Sequence, residues 1–213
     1  MAQVWAIVVA AGAGQRFGQR KQFALLSGHP VVAWAVNACR RCSAGVVLVV
    51  PPGTDTEARH GADIAVEGGP TRSDSVRRGL AQVPPEAEVI IVHDAARPLA
   101  SDELFHAVIA AVTEEGVAGA VPGLAVSDTI KQVDGAMQVI ATLHRDSLVA
   151  VQTPQAFRAD DLRRAHAGAG EATDDAALVE ASGATVRIVP GDAGNLKITT
   201  PADLRAAEQL LGG

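Results

Sequence analysis

Four short apolar runs punctuate the chain: Val4 to Ala10, Gly45 to Val50, Val89 to Val92 and Val117 to Val121. All are rich in Val and Ile and none alternates cleanly with polar residues, which is the pattern of strands covered on both faces. Helical signals fill the intervals. Val31 to Cys42 follows Pro30; Arg72 to Val83 is preceded by Thr71 with Asp74 three residues on, a capping box; Asp102 to Thr113 has Ser101 as its cap and acids in its first turn. Near the C-terminus Thr200, Pro201 and Asp203 start a last helix, Pro201 to Leu211, which Gly212 stops. Strands alternating with helices predict an α/β fold with a mostly parallel sheet and helices on both faces.

One segment breaks the rhythm. Thr129 to Val133 and Gln138 to Thr142 flank Asp134-Gly135, a strong hairpin signal, so residues 126 to 157 are expected to form a protruding β-hairpin arm. A lone hairpin is marginal in water, so this one must pack on its own domain or on another subunit. No internal repeat or long linker divides the chain, and residues 1 to 213 are read as one domain. The 213 residues, 48% of them hydrophobic, suffice to bury a full core. No apolar run approaches the roughly 18 residues of a membrane span and no export signal opens the sequence, so a cytoplasmic protein with no membrane partner is expected.

A net charge of −6, no tyrosine and 3% aromatic residues argue against a nucleic-acid surface. Yet no Asp or Glu precedes Asp55, whereas Arg16, Arg20, Lys21, Arg40 and Arg41 do, a distribution that suits a local site for a small anion. Only Lys21, Lys131 and Lys197 of the 18 basic residues are lysine, which marks them as places where a compact ammonium meets phosphate; Lys131 is read instead as a solvated strand residue. Cys39 and Cys42 form a C-x-x-C, but at a helix C-terminus the dipole disfavours a thiolate, and zinc would need further cysteines, so packing is the expected role.

The first strand runs into Ala10-Ala11-Gly12-Ala13-Gly14-Gln15-Arg16-Phe17-Gly18, a small-residue loop whose backbone N–H groups suit phosphates. A dinucleotide fingerprint would need its third glycine where Phe17 stands, and no Walker A motif occurs, which leaves a glycine loop carrying its own cations, Arg16 and Lys21. That combination suits a nucleoside triphosphate whose leaving group is pyrophosphate. The strand ending His93-Asp94 continues into Ala95-Ala96-Arg97-Pro98 and places a carboxylate and a guanidinium at the carboxyl edge of the sheet. Asp94 is the candidate ligand for a Mg²⁺ that bridges phosphates, with a loop salt bridge to Arg97 as the plainer alternative; His93 is read as packed, or as supporting the site from behind.

These blocks, together with Lys21-Gln22-Phe23, Gly68-Gly69-x-x-Arg72-x-x-Ser75-Val76, Asp128-Thr129-Ile130-Lys131, Arg145-Asp146-Ser147-Leu148, Gln152-Thr153-Pro154-Gln155 and Asn195-Leu196-Lys197-Ile198-Thr199, stand in an order that resembles the 2-C-methyl-D-erythritol 4-phosphate cytidylyltransferase family. The resemblance spans nearly the whole chain. It implies a Rossmann-like fold, CTP and methylerythritol phosphate as substrates, Mg²⁺, and a homodimer joined through the arm. Arg16 and Lys21 match the pair that stabilises the transition state, and Arg145 and Lys197 match groups that hold the incoming phosphate. Ala10, Ala11, Gly12, Gly14 and Ala95 fall in the nucleotide-binding blocks, while Gly69 and Ser75 match positions that read cytosine. Asp94, Arg97, Thr153 and Lys197 match the acceptor pocket, which Thr129 and Arg145 complete from the neighbouring subunit's arm. Two departures stand out. Only Gln19 and Arg20 separate Gly18 from Lys21, a short loop that makes Arg20 a candidate to share the lysine's role, and Pro70 replaces an acid found in some relatives. Within the fold the rival is a ribitol 5-phosphate cytidylyltransferase; outside catalysis it is a nucleotide-binding protein without turnover.

Overall fold

A computed structural model describes residues 2–12, 17, 20–168 and 170–212. Its centre is an eight-stranded mixed sheet. Strands β1 (Val4–Val9), β4 (Gly45–Val50), β5 (Ile64–Glu67) and β6 (Val89–Asp94) are parallel neighbours, in the order β6-β1-β4-β5. β11 (Gln155–Arg158) runs antiparallel between β6 and β7 (Gly119–Ala125). β7 also carries β10 (Val149–Val151) antiparallel and β12 (Val186–Pro190) parallel.

The apolar runs lack alternation because both faces are covered. Ala6 and Val8 of β1, Val46 and Leu48 of β4 and Ile91 of β6 pack against α1 (Val31–Cys42) and α3 (Asp102–Val112). The intervening Ile7, Val47, Val49, Ile90 and Val92 pack against α2 (Arg72–Leu80), α4 (Ala159–His166) and α5 (Asp175–Ala181). Period-two geometry thus sends successive residues into two cores, and every position reads as apolar.

Most predicted elements are found, with shifts that have local causes. The capping box at Thr71 and Asp74 forms, but α2 stops at Leu80 rather than Val83. There Gln82 N–H bonds to Gly79 O and Val83 N–H to Leu80 O, a tight last turn forced by Pro84, whose ring disfavours helix before it. β7 is longer than the run Val117 to Val121, since it passes through Pro122, which lies where the antiparallel partner changes from β11 to β10. The short pair β2 (Leu25–Leu26) and β3 (His29–Pro30) was not expected; Ser27 and Gly28 both have positive φ, 47° and 82°, the conformation of a two-residue type I′ turn.

The arm contains the expected hairpin, of β8 (Lys131–Val133) and β9 (Val139–Thr142), and its turn follows Asp134-Gly135 as far as Gln138. The Asp134 carboxylate accepts from Ala136 N–H and Gln138 N–H, both at 2.9 Å, and the left-handed residue is Met137, with φ of 61°. An Asx-type turn thus closes the loop through the Asp134 side chain. From residue 127 to residue 151 none of the arm is buried within this chain.

A closed polar network staples the end of β6 to the rest of the sheet edge. Asp94 N–H donates to Thr153 Oγ1 at 3.0 Å, and Thr153 Oγ1 lies 3.1 Å from His93 Nδ1, while His93 Nε2 lies 3.0 Å from Arg97 O. The carbonyl can only accept, so His93 carries its proton on Nε2 and takes the Thr153 hydroxyl hydrogen on Nδ1. Arg97 Nη1 donates onward to Asn195 O at 2.8 Å, and Asn195 Nδ2 returns to Thr153 O at 2.9 Å. His93 is fully buried beside Phe105, as expected of a packed histidine. That burial pushes its pKa down to about 4. Between its ordinary value of about 6.5 and about 4, the unfolded chain binds a proton that the folded chain refuses, so stability falls on acidification through that window. The loss should reach on the order of 3 kcal/mol. Urea midpoints followed from pH 7 to 4.5 should therefore drop less steeply for His93→Gln than for the unsubstituted protein, whatever their offset at pH 7; parallel curves would contradict the neutral network.

Candidate functional site

The carboxyl ends of β1, β4 and β6 open into a cavity of 780 Å³, the position at which open α/β sheets receive ligands. It is lined by Ala10, Ala11 and Gly12 at the end of β1, by Gly69 and Ser75, by Asp94 and Ala95 at the end of β6, and by Lys21 and Lys197. Nine of the predicted residues thus converge on one space. Gly14 and Arg16 lie outside the described residues.

Close packing of the walls depends on Gly68. A Cβ there would stand 2.3 Å from Ala11 Cβ and 2.7 Å from Ser75 Oγ, so only glycine lets the two loops meet. Ser75 is buried and not on a helix surface; its hydroxyl donates to Thr71 O at 2.9 Å and accepts from Gly69 N–H at 3.2 Å. The two residues expected to read a base are therefore already oriented by each other.

Gln22 has a role that motif reading missed. Its buried amide donates to Ala10 O at 2.7 Å and to Gly12 O at 3.1 Å, tying the start of the glycine loop to the short 3-10 turn Lys21–Phe23. Its position between a strand-end loop and an apolar stretch gave no sign of this, because nothing in sequence spacing marks the partner of a side-chain amide.

Electrostatics centre on Asp94. Its Oδ2 receives Lys197 Nζ at 2.6 Å, and its Oδ1 lies 3.6 Å from Arg72 Nη2. Burial pushes its pKa up, but Lys197 and Arg72 outweigh burial and hold it at about 2, so it is a carboxylate at any physiological pH. The alternative Asp94–Arg97 salt bridge does not form, since Arg97 is turned to Asn195 O. Arg97 and Thr153 do not line the cavity; they stand behind Asp94 in the polar network, and Arg97 Nε is buried without a partner among the described residues. Asp94 is the one acid lining the cavity among the described residues, and no group of three or more His, Cys, Asp or Glu side chains is placed there to hold a metal. With both oxygens facing cations, this donor set does not suit a resident divalent ion.

The cationic N-terminal stretch resolves differently from expectation. Arg40 pairs with Asp63 at 3.0 Å, Arg41 with Asp102 at 2.7 Å, and Arg20 Nη1 donates to Thr54 Oγ1 at 3.1 Å. Of the described members only Lys21 lines the cavity, whereas Arg20 is turned to Thr54; the other cations of the lining are Lys197 and Arg72. Thr129 and Arg145 stay on the arm, where Arg145 Nη1 donates to Ser127 O at 2.7 Å, and neither lines this chain's cavity. Lys131 donates to Thr142 Oγ1 on the exposed hairpin, as a solvated strand residue should. Cys39 is buried and both thiol pKa values are raised, chiefly by burial, so neither cysteine is poised as a thiolate.

Among the described residues no helix is long and apolar enough to cross a membrane. The family model for 2-C-methyl-D-erythritol 4-phosphate cytidylyltransferase, IspD, matches residues 4–213. The chain is 45% identical to the enzyme of that name from Frankia casuarinae, over 98% of this chain and 81% of the relative. It is 44% identical to a bifunctional enzyme IspD/IspF from Anaeromyxobacter dehalogenans over 98% of its own length, but spans only 57% of that relative. The crystal structure of 2-C-methyl-D-erythritol 4-phosphate cytidylyltransferase from Thermus thermophilus superposes with a TM-score of 0.84 at 37% identity, covering 100% of both chains. With a Rossmann-like α/β sheet and the motif residues gathered at its carboxyl edge, the chain belongs to the 2-C-methyl-D-erythritol 4-phosphate cytidylyltransferase family of nucleotidyltransferases.

Proposed function

We propose that this chain transfers the cytidylyl group of CTP to 2-C-methyl-D-erythritol 4-phosphate, giving 4-diphosphocytidyl-2-C-methyl-D-erythritol and pyrophosphate. The observation that carries the reading is the meeting of Lys21, Lys197 and Asp94 with Ala10, Ala11 and Gly12 in one cavity. A phosphate oxygen of the acceptor attacks the α-phosphorus of CTP; the new P–O bond forms as the bond from that phosphorus to the β-bridging oxygen breaks, and pyrophosphate leaves with the electron pair. The acceptor phosphate is already an anion, so no general base is required, and rate comes from positioning and neutralising like charges. Lys21, with Arg16, balances the triphosphate; Lys197 holds the incoming phosphate; Ala10, Ala11, Gly12 and Ala95, which line the cavity, seat the nucleotide together with Gly14 of the same loop motif, and Gly69 with Ser75 meets cytosine. Asp94 takes hydroxyls of the acceptor, with Arg97 and Thr153 fixing its backbone and surroundings. We read magnesium as entering with the triphosphate, as part of the substrate, and route no step through it.

The arm supports a homodimer. Met137, Val139 and Ile140 are 78%, 59% and 59% exposed, a density of apolar surface that a hairpin in water does not sustain alone. In this reading Thr129 of the partner subunit and Arg145 of the partner subunit complete each site. Phosphorylated substrates do not cross membranes unaided, which fits a cytoplasmic enzyme.

Pyrophosphate release with CTP should be fast with methylerythritol phosphate and slow with ribitol 5-phosphate; the reverse preference, or CTP binding without product, would overturn the assignment. Lys21→Ala should lower kcat/KM at least about tenfold, the equivalent of about 1.4 kcal/mol of transition-state stabilisation, with Arg16→Ala similar. Undiminished turnover in both variants would refute these roles. Co-expressed Lys21→Ala and Arg145→Ala chains should regain about a quarter of the normal activity, because half the dimers are mixed and each mixed dimer holds one intact site. No recovery from two inactive parents, at equal dimer content, would rule out shared sites.

A further inference from the structure

Arg72 is the cation at the cavity to which no motif gave a role, and its guanidinium is divided between two carboxylates. Nη1 donates to Asp175 Oδ2 at 2.8 Å, within hydrogen-bond range, whereas Nη2 stands 3.6 Å from Asp94 Oδ1, an ion pair without a hydrogen bond. Asp175 is fully buried at the start of α5, and its Oδ1 faces Nε2 of the buried His166, at the end of α4, at 2.9 Å. Lys197, Asp94, Arg72, Asp175 and His166 therefore form an unbroken series that leads from the cavity into the helical layer behind it. His166 Nδ1 is buried and unpartnered among the described residues, so the ring's one polar contact there is Asp175.

Burying a carboxylate beside a histidine and a guanidinium is a poor way to stabilise a fold, since an apolar trio of equal volume does as well or better. What such a series does supply is position. A guanidinium with one carboxylate partner closes on it to make two parallel hydrogen bonds. Arg72 has two partners, and the better bond goes to Asp175. Burial works against its charge, yet Asp175 and Asp94 outweigh burial and leave its pKa raised, so it is a permanent cation.

We propose that Asp175 and His166 are positioning residues for the transfer: they draw Arg72 back from Asp94, to 3.6 Å, too far to occupy its Oδ1, which is left for a hydroxyl of the polyol phosphate acceptor. The proposal rests on the reading that Asp94 faces the acceptor. Asp175→Asn removes the pull while keeping the shape. Arg72 should then close on Asp94, and the KM for methylerythritol phosphate should rise about tenfold or more, with the KM for CTP and kcat changing by less than about threefold. Adding Arg72→Met to Asp175→Asn should bring the acceptor KM back down, because the guanidinium that closes on Asp94 is gone. His166→Asn, which spares the Arg72–Asp175 bond, should shift the acceptor KM in the same direction by a smaller factor, and it serves if Asp175→Asn folds poorly. A loss of thermal stability or of active fraction with an unchanged acceptor KM would overturn the positioning role while leaving the enzymatic reading intact. An acceptor KM that the double variant raises further would also overturn it. Absence of pyrophosphate release by the unsubstituted enzyme with every polyol phosphate would instead remove the enzymatic reading, and this proposal with it.

Discussion

The ion pair between Asp94 and Lys197, 2.6 Å long, is the point on which the site is built. It joins the end of β6 to a segment 103 residues later in the chain, and Ile198 N–H reinforces the join by bonding to Ala96 O at 2.8 Å. Ile198 itself is fully buried in a small cluster with Leu26, Val31 and Ala207, so the lysine's backbone is anchored by packing under the β2–β3 pair and α6 (Pro201–Gly212). The ammonium is thus delivered to the cavity by a hydrophobic anchor one residue away. Without that anchor a lysine would keep its rotamer freedom and stay in water.

A cavity that receives a polyanion, as proposed above, faces a contradictory demand, since the cations that would neutralise the ligand repel one another before it arrives. Asp94 reduces that conflict by standing between Lys197 and Arg72 with a pKa held at about 2. Its position is in turn fixed from behind, through Thr153, His93, Arg97 and Asn195, by hydrogen bonds among neutral or backbone groups and one arginine. Charges face the ligand and the supporting network is nearly neutral. This division keeps the site preorganised, because neutral hydrogen bonds do not rearrange when charge enters the cavity.

Much of this was legible in the sequence, for identifiable reasons. The strands Val4 to Ala10 and Gly45 to Val50 could be found because residues buried on both faces leave an unbroken apolar run, and the caps at Thr71 and Ser101 because capping is a local interaction. The glycine loop, Asp94 and Lys197 were marked by motifs. What escaped was whatever depends on a partner far away in the chain. Arg40 and Arg41 look like part of an anion site until Asp63 and Asp102 are seen to neutralise them. Arg72 stands in a motif without a role because its partner Asp175 is 103 residues distant. Gln22 likewise stands in a motif without a role until its amide is found on Ala10 O and Gly12 O. The arm's hairpin was legible for the opposite reason, because Asp134 and Gly135 act locally; only the detail of how the Asp134 carboxylate ties Ala136 and Gln138 needed the structure.

The chemistry of the arm fits the dimer proposed above. Thr129 and Arg145 sit on a stretch with no buried residue, and Arg145 spends one donor on Ser127 O within the arm. Holding a guanidinium through a backbone carbonyl leaves its charge unneutralised, unlike Arg40 and Arg41, whose charges are cancelled by carboxylates. A fold that exposes an uncancelled cation beside Val139 and Ile140 has the chemistry of a surface that meets both an apolar face and an anion. In the proposed dimer those two requirements are met together, since the same docking that covers the apolar strands carries Arg145 of the partner subunit toward a phosphate. Binding of the acceptor would then be linked to association of the subunits, because the ligand touches both and stabilises the contact by mass action.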